Sequence, residues 1–317
     1  MKRIAIIGAG SWGTALASMS ARAGHQVQLW SRNSEKSVQI PSSVALTSEL
    51  NGALDHADLV LFAAPSHAAR ELFTSVAQHL DETAIIVSAA KGIEIETGKR
   101  ISEIVKEVAG NKNPFVCLSG PSFAKEVIAG HPTAIVAASK DAAAARTVQN
   151  ELSFDNLRIY TNADVIGTEI GGSVKNVMAI AAGMATGLGF GSNSVAALIT
   201  RGLAEITRLA RREGAQVETL MGLAGLGDLV LTCTGALSRN RFVGEELGKG
   251  KRLEEIVAEL SEVAEGIKTA RAVKQLADRA GLEMPIVNEV NAVLYEGKSA
   301  RDAVTELMSR PLREEAP

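Results

Sequence analysis

At 317 residues, 46% hydrophobic and 22% charged, the chain has the composition of a well-buried globular protein and is too long for one ordinary core. Its formal net charge of −3 gives no electrostatic basis for binding nucleic acid or an anionic membrane surface, so an anionic ligand must be met by a local cluster of positive groups. The two cysteines, Cys117 and Cys233, lie far apart in apolar runs without metal-ligand spacing, and read as reduced, buried thiols of a cytoplasmic protein.

The first predicted strand, Arg3–Ile7, comes at once, and its apolar part is too short for the core of a signal peptide. Further strands are expected at Gln26–Trp30, Leu59–Ala63, Ala84–Ser88, Phe115–Ser119, Thr133–Ala137 and Leu157–Tyr160. Helical periodicity falls between several of them, over Trp12–Ala23, Ala68–Leu80, Gly98–Ala109 and Ala142–Leu152. Such alternation predicts a mainly parallel sheet with helices on both faces. From about Asp164 strand-like runs largely disappear. Helical patterns then cover Val165–Thr186, Ser194–Gly214, Leu253–Leu260, Lys268–Ala280, Ile286–Tyr295 and Arg301–Met308. Gly214 and Gly281 follow the helices before them, Pro285 opens the next, and Ser299 is placed to cap the last. The expected fold is therefore α/β: an N-terminal Rossmann-like doubly wound sheet over residues 1–161, followed by an all-helical C-terminal domain over 162–317. Asn176–Thr200 lacks Asp, Glu, Lys and Arg, but Gly183, Gly187, Gly189 and Gly191 interrupt it. It reads as a buried helix running into a glycine-rich loop, and no membrane insertion is expected.

The turn Gly8-Ala9-Gly10-Ser11-Trp12-Gly13 joins the first strand to the first helix. Gly8 permits the tight turn, Gly10 lets backbone approach a pyrophosphate, and Gly13 lets helix and strand pack closely. The helix N-terminus adds free N–H groups and a positive dipole end. The second strand ends in Ser31-Arg32, where an NAD-selective site usually carries an acid. Arg32 can hold a 2′-phosphate instead, which favours NADP(H) with NAD(H) also accepted; the alternative is a solvated surface arginine.

Open α/β sheets bind ligands beyond the carboxyl ends of their strands, so Pro65-Ser66-His67, Lys91-Gly92 and Gly120-Pro121-Ser122 are expected to line one crevice. Lys91 is the one long cation just past a central strand. Farther on, Gly171-Gly172-Ser173-Val174-Lys175-Asn176 breaks helical rules, with adjacent glycines costing roughly 1 kcal/mol each and a charge inside an apolar run. Lys175 is then either a proton-transfer group with a lowered pKa or a lysine that snorkels to the surface. Asp228, in Gly225-Leu226-Gly227-Asp228-Leu229, needs a partner in so apolar a stretch, and a lysine is the natural one. Thr232 follows, and then Ser238-Arg239-Asn240-Arg241, a helix start with a cationic fork suited to phosphate.

Together these segments resemble the bacterial NAD(P)-dependent glycerol-3-phosphate dehydrogenase family, from residue 3 to about 308. The resemblance is carried by the stretch from Gly8 to Ala17, Lys91-Gly92-Ile93, Ser119-Gly120-Pro121-Ser122-Phe123-Ala124-Lys125-Glu126, Gly172-Ser173-Val174-Lys175-Asn176-Val177, Thr200-Arg201-Gly202, the stretch from Gly222 to Leu229, and Ser238-Arg239-Asn240. It implies interconversion of dihydroxyacetone phosphate and sn-glycerol 3-phosphate, in a soluble enzyme that supplies glycerol 3-phosphate for phospholipid head groups. By the same resemblance Lys175 is the proton donor and acceptor, tuned and oriented by Asp228 and Asn176. Lys91, Gly120, Ser122, Thr232 and Ser238 are substrate contacts, and Arg239 with Asn240 clamps the phosphate. Ser11, Trp12, Arg32, Lys91, Ala124, Arg239, Val263 and Glu265 are expected at the cofactor beside Gly8, Gly10 and Gly13. No metal is expected, since none of the five histidines has a ligand-like partner pattern. The chain departs from the family where Asn33–Asn51 is short and keeps only Pro41 of a longer Asn-rich, Tyr-Leu-Pro stretch, which leaves the cofactor preference open. Two other readings fit the segments less completely: a hydroxy- or keto-acid reductase of the same architecture, and a dinucleotide sensor without turnover. The apolar faces of the helical half suggest a homodimer.

Overall fold

The computed structural model describes residues 1–33, 40–260, 263–312 and 314–315. Eight strands, β1 (Arg3–Ile7), β2 (Gln26–Trp30), β3 (Val44–Thr47), β4 (Leu59–Phe62), β5 (Ile85–Ser88), β6 (Phe115–Ser119), β7 (Thr133–Ala138) and β8 (Leu157–Asn162), form one sheet in the order β3-β2-β1-β4-β5-β6-β7-β8. β1 to β6 are parallel; β7 runs antiparallel to β6, and β8 parallel to β7. The central strand β4 is the continuous apolar run Leu59-Val60-Leu61-Phe62, buried throughout because helices cover both faces. β8 instead alternates, with Leu157 and Ile159 inward and Arg158 and Tyr160 exposed, as a strand at the edge of the sheet does. All seven predicted strands are present. β3 was not predicted: it is four residues long and pairs Val44–Thr47 with Val27–Trp30.

Helices α1 (Ser11–Arg22), α2 (Leu50–Leu54), α3 (Ala69–Ala77), α4 (Ile101–Ala109), α5 (Ala124–Ile128) and α6 (Ala142–Leu152) accompany the strands. After β8 the described chain is helical: α7 (Val165–Gly187), α8 (Ser192–Arg212), α9 (Val217–Met221), α10 (Asp228–Thr234), α11 (Arg239–Gly248), α12 (Leu253–Glu259), α13 (Glu265–Ala280), α14 (Pro285–Tyr295) and α15 (Ala300–Ser309). The predicted end signals operate. Gly281 ends α13 in the left-handed region, Pro285 begins α14, and the Ser299 hydroxyl accepts from the Asp302 N–H at the start of α15. Among the described residues no helix is long and apolar enough to cross a membrane.

α7 organises the helical half. It is buried from Val165 to Ala185 apart from Ile166, as expected of a helix apolar on every side. Gly171 and Gly172 lie inside it, as the helical pattern over Val165–Thr186 predicts. Their missing side chains let other elements approach: a Cβ on Gly171 would lie 2.7 Å from the Ala224 carbonyl oxygen, and one on Gly172 2.6 Å from Ser119 Oγ. The propensity cost is offset by packing. The same device recurs where α7 crosses α11. A Cβ on Gly183 would sit 2.0 Å from the Arg241 carbonyl oxygen, and one on Gly244 2.0 Å from that of Ile180. Backbone therefore meets backbone along this seam. The segment after β5 ties the halves together. Ile93 joins the helical core, and Arg100 Nη1 donates to Glu169 of α7 at 2.8 Å. Glu169 also accepts from the Ser102 N–H at 2.7 Å, at the start of α4.

Candidate active site

The strand order reverses between β1 and β4, and the crevice beyond their carboxyl ends is where such sheets bind ligands. The glycine turn lies there. A Cβ on Gly13 would fall 1.9 Å from the Gly8 carbonyl oxygen, so only glycine lets α1 close onto the turn. Gly10 is the opposite case: a Cβ there would meet nothing within 4 Å. It precedes α1 and, as a glycine, brings no side chain to cap the helix. A tight turn leading straight into a helix N-terminus fits a dinucleotide pyrophosphate. Ser11 and Trp12 form the first turn of α1, and Ala124 heads α5. From the other half, Glu265 at the start of α13 accepts from the Ser66 N–H at 2.8 Å, across to the turn after β4. Loss of hydration raises the pKa of Glu265, while that N–H and the charge of Arg239 oppose the rise.

Two of the predicted turns and two helices meet at a second point. Lys91, just past β5, donates to the Gly120 carbonyl at 3.2 Å and to Asp228 Oδ2 at 2.7 Å. The same carbonyl accepts from Ser122 Oγ at 3.0 Å. Gly120 needs its positive φ of 137°, and a Cβ there would lie 2.9 Å from Ile135 Cα. Lys175 on α7 reaches the other oxygen of Asp228 at 2.5 Å and Thr232 Oγ1 at 2.8 Å. Lys175 is 6% exposed and Asp228 only 1%, so Lys175 does not snorkel to the surface. Asp228 begins α10 directly after a π-helical turn at 223–227, which folds Gly225 against Leu220. π-turns of this kind often mark functional sites.

The charges in this cluster shift one another. Burial pulls Lys175 down to about 8; Asp228 opposes the fall, and Lys91 adds to it. Burial would raise Asp228, but Lys175 and Lys91 outweigh it and hold the carboxyl below its ordinary value. One carboxylate thus serves two lysines, and the pair carries more positive charge than negative.

The remaining predicted residues are placed differently. Asn176 does not hydrogen-bond Lys175; its carboxamide oxygen accepts from Asn240 Nδ2 at 3.0 Å, and Asn240 Oδ1 accepts from the Gly266 N–H at 2.9 Å. This buried chain links α7, α11 and α13 and fixes both amides. Ser238 spends its hydroxyl on capping α11, accepting from the Arg241 N–H at 3.2 Å. Arg239 is exposed at the start of α11. Arg32 is exposed at the end of β2 and lies 3.7 Å from Glu71 on α3. Val263 is 43% exposed. Part of the shortened stretch, residues 34–39, lies outside the described residues. Cys117 and Cys233 are free and buried. Sequence reasoning missed Glu169, Arg100 and Ser119. Ser119 Oγ is buried without a hydrogen-bond partner, directly beside Gly172.

Comparison with known proteins agrees with this geometry. Residues 3–145 match the family described as NAD-dependent glycerol-3-phosphate dehydrogenase N-terminus, and residues 164–305 match its C-terminus. A glycerol-3-phosphate dehydrogenase [NAD(P)+] of Koribacter versatilis is 52% identical over 330 positions, covering 98% of each chain. That alignment is longer than this chain's 317 residues, so the relative carries residues with no counterpart here. The crystal structure of a glycerol-3-phosphate dehydrogenase from Coxiella burnetii superposes with a TM-score of 0.94 at 39% identity, over 98% of this chain and 99% of that one. A ketopantoate reductase from Ralstonia eutropha shares the fold alone, with a TM-score of 0.61 and 16% identity over 95% of this chain and 99% of its own. By full-length sequence and structural likeness, the chain belongs to the NAD-dependent glycerol-3-phosphate dehydrogenase family.

Proposed function

We propose that the chain reversibly reduces dihydroxyacetone phosphate to sn-glycerol 3-phosphate with a nicotinamide dinucleotide, Lys175 carrying the proton. The observation that carries this reading is the buried cluster in which Lys175, lowered to about 8, shares Asp228 with Lys91. When bound, the dinucleotide supplies the hydride for reduction and accepts it in oxidation. All other work falls to residues of the chain.

The turn Gly8–Gly13, with Ser11 and Trp12, receives the dinucleotide phosphates; Arg32, Lys91, Ala124, Arg239, Val263 and Glu265 flank it. Arg239 and Asn240 grip the substrate phosphate, and that remote binding energy orients the carbonyl. Lys91 and Ser122 beside the Gly120 carbonyl contact the substrate at its other end. Lys175, an ammonium at neutral pH, stabilises negative charge growing on the carbonyl oxygen and gives up its Nζ proton there. Asp228 keeps that ammonium charged despite its burial, and Thr232 fixes its direction. Asn176 acts at one remove, by holding Asn240. In oxidation the neutral amine takes the proton back. Arg32 favours NADPH, with NADH also used. The reaction supplies glycerol 3-phosphate for phospholipid head groups in the cytoplasm. Exposed Met221, Val230, Leu237 and Phe242 on the helical half support a homodimer.

The test is loss of NADPH absorbance on adding dihydroxyacetone phosphate, repeated with NADH and with keto acids in place of the triose phosphate. Lys175→Met is expected to lower turnover at least about 1,000-fold while dinucleotide affinity holds within about threefold. Oxidation by keto acids but not by the triose phosphate sinks the reading, as does undiminished turnover in the Lys175 variant.

A further inference from the structure

Arg32 stands at the carboxyl end of β2, where the dinucleotide's adenosine ribose is received in folds of this kind. Its partner is Glu71, in the first turn of α3, 3.7 Å away. α3 continues the turn after β4 that carries His67, and His67 and Glu71 are four residues apart, on one face. Lys268, in the first turn of α13, completes the surroundings: burial first, then the charges of Lys268 and Arg32, lower the pKa of His67. Arg32 and Glu71 thus meet from the end of β2 and from α3, and the charges of Arg32 and Lys268 both reach His67 on the turn after β4.

We propose that Glu71 sets the discrimination between NADPH and NADH, by occupying Arg32 in competition with a 2′-phosphate. This rests on the dinucleotide reading above and adds a residue to it. A 2′-phosphate approaching Arg32 meets the Glu71 carboxylate first and must displace it, against like-charge repulsion. A ribose 2′-hydroxyl has no such conflict, since it can donate to that carboxylate as it would to the acid found at the end of β2 in NAD-selective sites. With the cation just past β2 and the acid on α3, the site offers a partner to either form of the ribose. Glu71 is 74% exposed in its side chain, so its replacement leaves the core untouched.

The experiment is equilibrium binding to the full-length chain by calorimetry, with NADPH and NADH as ligands and 2′,5′-ADP against 5′-AMP as probes of the phosphate alone. Glu71→Gln is expected to tighten NADPH and 2′,5′-ADP about fivefold, the effect of removing one near charge at the solvent edge. NADH and 5′-AMP are expected to stay level or weaken. An NADPH-to-NADH affinity ratio unchanged within about twofold overturns the role of Glu71, as does equal tightening of all four ligands. Wild-type protein that binds neither dinucleotide overturns instead the dinucleotide reading on which it rests.

Discussion

Replacing Asp228 with Asn keeps its volume and removes the one carboxylate that Lys91 and Lys175 share. Both nitrogens lie within 2.7 Å of it, at a residue 1% exposed. For charge centres about 4 Å apart at an effective dielectric of about 20, the attraction lost by Lys175 is on the order of 4 kcal/mol, or about three pKa units. From a starting value of about 8, Lys175 is roughly nine-tenths protonated at pH 7. In the variant it titrates near about pH 5 and is about 1% protonated at pH 7. Reduction of dihydroxyacetone phosphate at neutral pH therefore falls about 100-fold from this cause alone, and its alkaline limb moves from near about 8 to near about 5. Initial rates at saturating substrate over about pH 5.5 to 9.5, with a melting curve at each pH, separate lost protonation from unfolding. A variant whose alkaline limb stays near about 8 refutes the claim that Asp228 keeps Lys175 charged.

Two further outcomes concern stability. Gly244→Ala places a methyl group 2.0 Å from the Ile180 carbonyl oxygen, and since that obstacle is backbone the helices must part. The expected loss is about 3 kcal/mol or more by urea denaturation, against less than about 0.5 kcal/mol for Gly191→Ala, whose added Cβ meets nothing within 4 Å; equal midpoints for the two variants would contradict the seam. Glu205, 3% exposed, accepts from the Ile286 and Val287 N–H groups at the start of α14, and burial pushes it up to about 7. Because its folded pKa lies above the ordinary 4.5, its contribution is fully present below that pH and is lost as pH rises through about 7. Relative to Glu205→Gln, the wild type is expected to lose up to about 3 kcal/mol across that window; parallel stability profiles would show that folding does not raise the Glu205 pKa.

The sheet was legible because its strands are apolar runs between turn signals, and the helix ends because Gly281, Pro285 and Ser299 act locally. β3 was missed for want of length: Val44–Thr47 offers four residues, only some of them inward. α10 was not predicted: glycines at 225 and 227 give no helical signal, whereas a π-turn packed on Leu220 leads straight into it. At the site, residue types were readable and pairings were not. Asp228 demanded a lysine, yet that it takes two, from α7 and from the turn after β5, depends on the packing of the two halves. Asn176 was assigned to Lys175 by the family resemblance; its hydrogen-bond partner is Asn240, 64 residues on, and no periodicity records such a pair. Glu169 and Arg100 were invisible for the same reason.

The glycine seam between α7 and α11 also bears on how the chain reaches its native state. α7 is synthesised more than fifty residues before α11, and its apolar surface is closed only when α8, α10, α11, α13 and α14 have all docked. Such long-range closure makes it a late event, and glycine contacts admit no loosely packed substitute for it. Until then a largely apolar 23-residue helix lies open to other chains. The tolerance of this protein to truncation is thus asymmetric: a chain ending after β8 loses the active site, whereas one ending between α7 and α11 is predisposed to aggregate.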